Sequence, residues 1–221
     1  MAKNTGIGAE RSADRARELR KELARKIDAL MGPEEKRITD VPGLMLVRRT
    51  ATTASACGTY EPSVAVIAQG RKRVELGQTT FIYDDSRYLL TSVDLPIVSQ
   101  VIEASEERPF LAMALKLEMQ VVRELLAREE IPVPDAPPDT PAMAIGETTV
   151  EFLSACCRLI DLLNAPQDIP FLSGLIQREI IYRILQGPEA ARLRSIATLG
   201  DQSHRTAKAI ACSANRPRRR I

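Results

Sequence analysis

The feature that most constrains the fold lies between Val41 and Leu117, where short runs rich in β-branched and aromatic residues are interrupted every few residues by turn chemistry. The pattern predicts strands at 44–49, 63–69, 72–76, 79–83, 87–93, 97–104 and 110–117. The interruptions are Gln69-Gly70, Gly77-Gln78, Asp84-Asp85, Asp94-Leu95-Pro96 and Glu106-Glu107-Arg108-Pro109. Each carries residues that accept tight-turn dihedrals or cannot donate to a strand ladder. Short strands joined by such short turns return antiparallel, which predicts a barrel or a sandwich.

Helical periodicity flanks this region on both sides. Leu19, Leu23, Ile27 and Leu30 recur at three- and four-residue steps between charges, which predicts an amphipathic helix over 12–31 with Ser12 as its N-cap and Gly32-Pro33 as its stop. Met119 to Ala127 reads as a short helix, and five of the fourteen prolines fall within 132–141, a loop or linker. Phe152, Cys156, Ile160 and Leu163 mark one further helix, and Leu172, Leu175, Ile176, Ile180 and Ile184 mark a second. Asn164-Ala165-Pro166 lies between them, so the two form an antiparallel hairpin that Gly187-Pro188 ends. Another short helix is expected over 189–197, and Ser203 is placed to cap a last one.

The fold class is therefore α+β. The expected organisation is an N-terminal helix in 1–37, a barrel in 38–128, a Pro-rich loop in 129–147, a helical segment in 148–200 and a basic end in 201–221. Charge follows these divisions. Residues 1–37 carry +3, residues 38–191 carry −8 and residues 192–221 carry +7. A basic end attracts polyanions such as nucleic acid, or is simply solvated. No apolar run is long enough for a membrane span and no secretory leader is visible, so a cytoplasmic protein without membrane contact is expected.

Catalytic signatures are scarce. No Walker loop, G-x-S-x-G elbow or G-x-G-x-x-G turn occurs. Cys57, Cys156, Cys157 and Cys212 lack C-x-x-C spacing, and the single histidine, His204, lies in an Arg-rich polar segment. No metal site, cofactor or catalytic residue is expected from this set. Asp84-Asp85 and Glu106-Glu107 sit at hairpin tips, where carboxylates are ordinary turn residues. Tyr83, Tyr88 and Ser92 lie on neighbouring strands and are the candidates to line a ligand pocket, with core packing as the alternative for the tyrosines.

Several spaced motifs occur in one order: Tyr60-Glu61-Pro62-Ser63, Gln69-Gly70-Arg71-Lys72, Leu76-Gly77, Tyr83-Asp84, Tyr88 through Pro96, Glu103-Ala104-Ser105 and Pro109. They continue through Leu175 to Leu185, Gly187-Pro188, Gln202-Ser203-His204-Arg205 and Ala209-Ile210-Ala211. Over residues 35–211 this order resembles the N-terminal domain of AraC-type transcription regulators. The resemblance implies a cupin-like sensor barrel for a small-molecule effector, a helical segment for dimerisation, and two following helix-turn-helix units that read promoter DNA.

The chain departs from that pattern after Ala211, where only Cys212 to Ile221 follow. The expectation is a copy shortened before its DNA-binding half, so that promoter DNA is a partner only of a full-length relative. Two other readings stand beside the sensor: a metal-free cupin-type enzyme such as an isomerase, and an interaction protein that pairs with full-length relatives. The absence of histidine from the strands argues against a metal-dependent enzyme. A homodimer is expected through Leu172, Ile176, Ile180, Ile181 and Leu185, because the last two are displaced from the stripe formed by the first three. The alternative is that Ile181 and Leu185 pack under the 132–141 loop.

Overall fold

The computed structural model describes residues 4–91, 94–128, 143–188, 190, 191 and 193. In chain order these form α1 (Asn4–Met31), β1 (Lys36–Ile38), β2 (Leu44–Arg49), β3 (Ala56–Tyr60), β4 (Ser63–Gln69), β5 (Arg71–Leu76) and β6 (Thr79–Asp84). There follow β7 (Arg87–Thr91), β8 (Leu95–Glu103), β9 (Phe110–Lys116), α2 (Met119–Leu126), β10 (Met143–Glu147), α3 (Val150–Asp161) and α4 (Ile169–Leu185). All strand pairs are antiparallel. One sheet has the order β1-β2-β9-β4-β7-β10, the other β3-β8-β5-β6, and together they make an open barrel.

Side-chain alternation along the strands of the larger sheet sorts the core into two layers. Leu44, Leu46, Val64, Val66, Leu111, Met113 and Leu115 point to the helices and pack with Leu23 and Ile27 of α1 and Leu153 and Ile160 of α3. Ile67, Leu89, Phe110 and Ala112 point the other way and meet Val74, Tyr83, Ile97 and Val101 of the smaller sheet. The molecule is thus three layers deep: helices, six-stranded sheet, four-stranded sheet.

Local chemistry accounts for the crossings between layers. Gly70 carries the chain from the larger sheet to the smaller with φ 91°, and a Cβ there would lie 2.6 Å from the Glu103 carbonyl oxygen. Only glycine fits such a point. The Thr149 hydroxyl accepts from the Phe152 N–H at 3.2 Å and caps α3. Lys26 of α1 reaches Asp161 at the end of α3 at 2.6 Å and Glu22 at 2.9 Å, joining the two helices beyond their apolar contact.

Several sequence expectations are corrected. The first helix begins at Asn4, so Ser12 lies inside it and is no cap. Leu95 and Pro96 are not turn residues; they open β8 and face Tyr60 and Thr59 of the edge strand β3. Strands β1, β3 and β10 were not foreseen, and β10 occupies residues assigned to the Pro-rich loop. Residues 132–141, Ser203, His204 and Cys212 lie outside the described residues, as does most of 189–197.

Candidate functional site

On the inner face of the larger sheet the strands carry small residues. Ala65 of β4 pairs directly with Ala114 of β9, and Ala112 pairs with Val47 and Ile67. Alanine at these positions cannot reach the opposing sheet about 10 Å away. The result is a cavity of about 420 Å³, within the size range of small-molecule sites. Its wall includes both edge strands on one side of the barrel, with Lys36 and Ile38 from β1 and Thr59 and Tyr60 from β3.

Most of the remaining lining is apolar, from Met45, Val47, Phe110 and Met113. Polar groups enter from Ser63 and Lys116 of the larger sheet, from Glu61 in the turn between β3 and β4, and from the smaller sheet. On β5, Val74 is fully buried among the residues between the sheets, and alternation puts Lys72 on the same inward face. Lys72 lies directly opposite Tyr83 of β6. Its Nζ donates to the Tyr60 hydroxyl oxygen at 2.7 Å and sits 5.3 Å from the Tyr60 ring centroid. Burial pushes the Tyr83 hydroxyl well above its ordinary range, and the neighbouring Tyr60 acts in the same direction, so Tyr83 stays a protonated donor.

Of the three residues proposed from sequence to line a pocket, Tyr83 lines this cavity. Tyr88 does not. It points through the other face of its strand to the helices, with its ring 5.0 Å from that of Phe152 and packed so closely on Gly146 that a Cβ there would fall 2.2 Å from it. Ser92 lies outside the described residues. Lys72 and Tyr60 were missed, although the signal was present: in Arg71-Lys72-Arg73-Val74-Glu75-Leu76 the inward positions are 72, 74 and 76, and one of them is charged.

The residues proposed for a dimer contact also separate. Ile180, Ile181 and Leu185 are buried in this chain's own core, with Ile181 and Leu185 at 3% and 2% exposure, and Ile176 is buried with them. They are not available to a partner. What α4 exposes is Phe171 (80%), Leu175 (58%), Leu172 and Tyr182. Helix α3 is buried through Phe152, Leu153, Cys156, Cys157 and Ile160, so it offers little to a partner. Burial pushes the Cys157 thiol up to about 11 and raises Cys156 as well, so both act as packing residues rather than nucleophiles.

Asp84 belongs to its turn, accepting from the Ser86 N–H at 3.1 Å and the Ser86 hydroxyl at 2.6 Å. Among the described residues no group of three or more His, Cys, Asp or Glu is placed to hold a metal ion, and no helix is long and apolar enough to cross a membrane.

No curated protein matches the chain. Among solved structures, unsaturated fatty acid bound ToxT from Vibrio cholerae strain SCE256 aligns with 10% identity and a TM-score of 0.43 over 61% of this chain and 50% of that one. The AraC-like transcriptional activator CuxR aligns with 12% identity and a TM-score of 0.36 over 73% of this chain and 64% of that one. The chain thus spans about half the length of the ToxT structure. The sequence matches the profile of the AraC-type transcriptional regulator N-terminus over residues 40–192, a stretch that includes every strand from β2 to β10 and helices α2 to α4, and the chain belongs to that family.

Proposed function

We propose that this chain is the effector-sensing part of a transcription regulator, and that its effector is a small molecule bound in the cavity between the two sheets. The observation that carries this reading is the hollow itself. The same sheet packs large side chains against the helices and alanines toward the cavity, while Tyr60, Lys72 and Tyr83 bring polar groups to it from the smaller sheet. Convergent polar groups in an apolar pocket are the ordinary make-up of a ligand site. Family membership supports regulation rather than catalysis.

Self-association is the second part of the proposal. Phe171, Leu175 and Tyr182 fall at steps of four and seven along α4 and so share one face, which two copies would bury against each other. On this reading the interface is the exposed face of α4, from Phe171 through Leu175 to Tyr182. Promoter DNA is read by helix-turn-helix units of a full-length regulator. The +7 end would add contacts to DNA phosphates, which weaken on adding salt.

The test is a thermal-shift screen of small molecules against the wild type and Ala112→Phe, which fills the cavity. Compounds that stabilise the wild type are expected to lose their effect in the variant. Retained stabilisation in a folded Ala112→Phe protein contradicts the cavity as the effector site. For the dimer, sedimentation is expected to give a dimeric wild type and a folded monomer for Phe171→Glu combined with Leu175→Glu.

A further inference from the structure

We infer that the cavity selects an organic monocarboxylate with an apolar body, and that Lys72 and Tyr60 bind its carboxylate. The inference rests on the reading of the cavity as the effector site and adds the chemical class.

The first argument is charge. Three lysines, Lys36, Lys72 and Lys116, line the cavity against one carboxylate, Glu61. That carboxylate is already paired with Lys116 at 2.8 Å. Neither Lys36 nor Lys72 forms an ion pair with any carboxylate among the described residues, so the lining carries uncompensated positive charge. Lys36 is exposed at the rim, whereas Lys72 is half-buried on an inward strand position. A cation held inside an apolar chamber favours an anion there over water, because the low dielectric strengthens their attraction.

The second argument is hydrogen-bond polarity. An ammonium has three donors and no acceptor, and Lys72 spends one donor on the Tyr60 oxygen. That contact uses an acceptor site of Tyr60 and leaves its O–H free to donate. The pair therefore presents donors only, two N–H from Lys72 and one O–H from Tyr60. Its complement is a group with acceptors only, which is an ionised carboxylate. A sugar or an amide can accept from the same donors but without the charge, and so more weakly. The third argument is the apolar part of the lining: Met45, Val47 and Phe110 with the inward alanines suit a hydrocarbon body, and Lys116 is already paired with Glu61.

The probes are octanoate and 4-phenylbutyrate, each compared with its primary amide, which keeps the body and removes the charge. Calorimetric titration is expected to give at least about tenfold tighter binding of each acid than of its amide, the range of a charge-assisted hydrogen bond. Lys72→Met should abolish that preference, Lys72→Arg should keep most of it, and Tyr60→Phe should reduce it by a smaller factor. Thermal unfolding of each variant verifies that it is folded. Equal binding of acid and amide, a preference that survives Lys72→Met, or no binding of either acid overturns the monocarboxylate assignment while the cavity stands as a site. A preference that persists unchanged in Ala112→Phe puts the anion elsewhere and overturns the underlying reading of the cavity as well.

Discussion

The two faces of the six-stranded sheet are built from alternate residues of the same strands and differ in almost everything else. On β9, Leu111, Met113 and Leu115 face the helices and are buried in a continuous core with α1 and α3. Their neighbours Ala112 and Ala114 face the smaller sheet and leave a cavity of about 420 Å³. The helix side is filled and specifies the fold; the barrel side is left open. Close packing is where stability resides, since a lost methylene there costs both transfer energy and a void.

That contrast gives its largest test on adjacent residues. Leu111→Ala is expected to lower unfolding free energy by about 2–5 kcal/mol, the range for a buried leucine, read by urea denaturation. A loss close to zero would mean that the helix side is not the stabilising layer. Next comes the crossing point itself. Gly70→Ala forces a Cβ into a left-handed conformation and against the Glu103 carbonyl, and should cost more than about 1 kcal/mol without altering the ligand preference of any folded protein.

A smaller effect separates packing from ion pairing on the helix side. The hydrogen bond from Lys26 holds the Glu22 carboxyl below its ordinary value, against the opposing effect of burial. Because the folded pKa is the lower one, the stabilisation is present in full above the unfolded pKa and disappears as pH falls through the folded value. Glu22→Gln should therefore cost less than about 1 kcal/mol at neutral pH, with the difference from wild type vanishing at low pH. The smallest effect is the mirror of the first: Ala112→Val, one residue from Leu111, should change stability by less than about 1 kcal/mol because the added methyls enter open space.

Much of this architecture was legible in the chain. Strands β2 and β4 were bounded correctly because turn residues and alternation agreed at both ends. The missed strands lacked one of those signals. In β3, Ala56, Cys57, Gly58 and Thr59 are all exposed at a sheet edge, so no buried face imprints an alternation. Strand β10 was assigned to the loop because of the prolines that precede it, and its Gly146 is held in the strand with the Tyr88 ring lying on it.

The site was harder to read for a reason of parity. Tyr83 and Tyr88 both look like pocket residues, but one stands on the inward register of β6 and the other on the outward register of β7. A single-position difference decides it. Helix α4 misled in a related way. Its second apolar stripe, Ile181 and Leu185, suggested a partner, yet the C-terminal half of the helix is enclosed by its own chain, and the exposed apolar surface is displaced to Phe171 and Leu175.

The central claim, that the inner face binds and the outer face only packs, is tested most directly by methyl NMR on protein labelled at alanine. Ala65, Ala112 and Ala114 report on the cavity, while Ala68 of β4, Ala144 of β10 and Ala155 of α3 report on the helix side. Titration with octanoate, or with any compound the stability screen returns, should shift the first three methyls and leave the second three in place. Shifts confined to Ala68, Ala144 and Ala155 would contradict the claim.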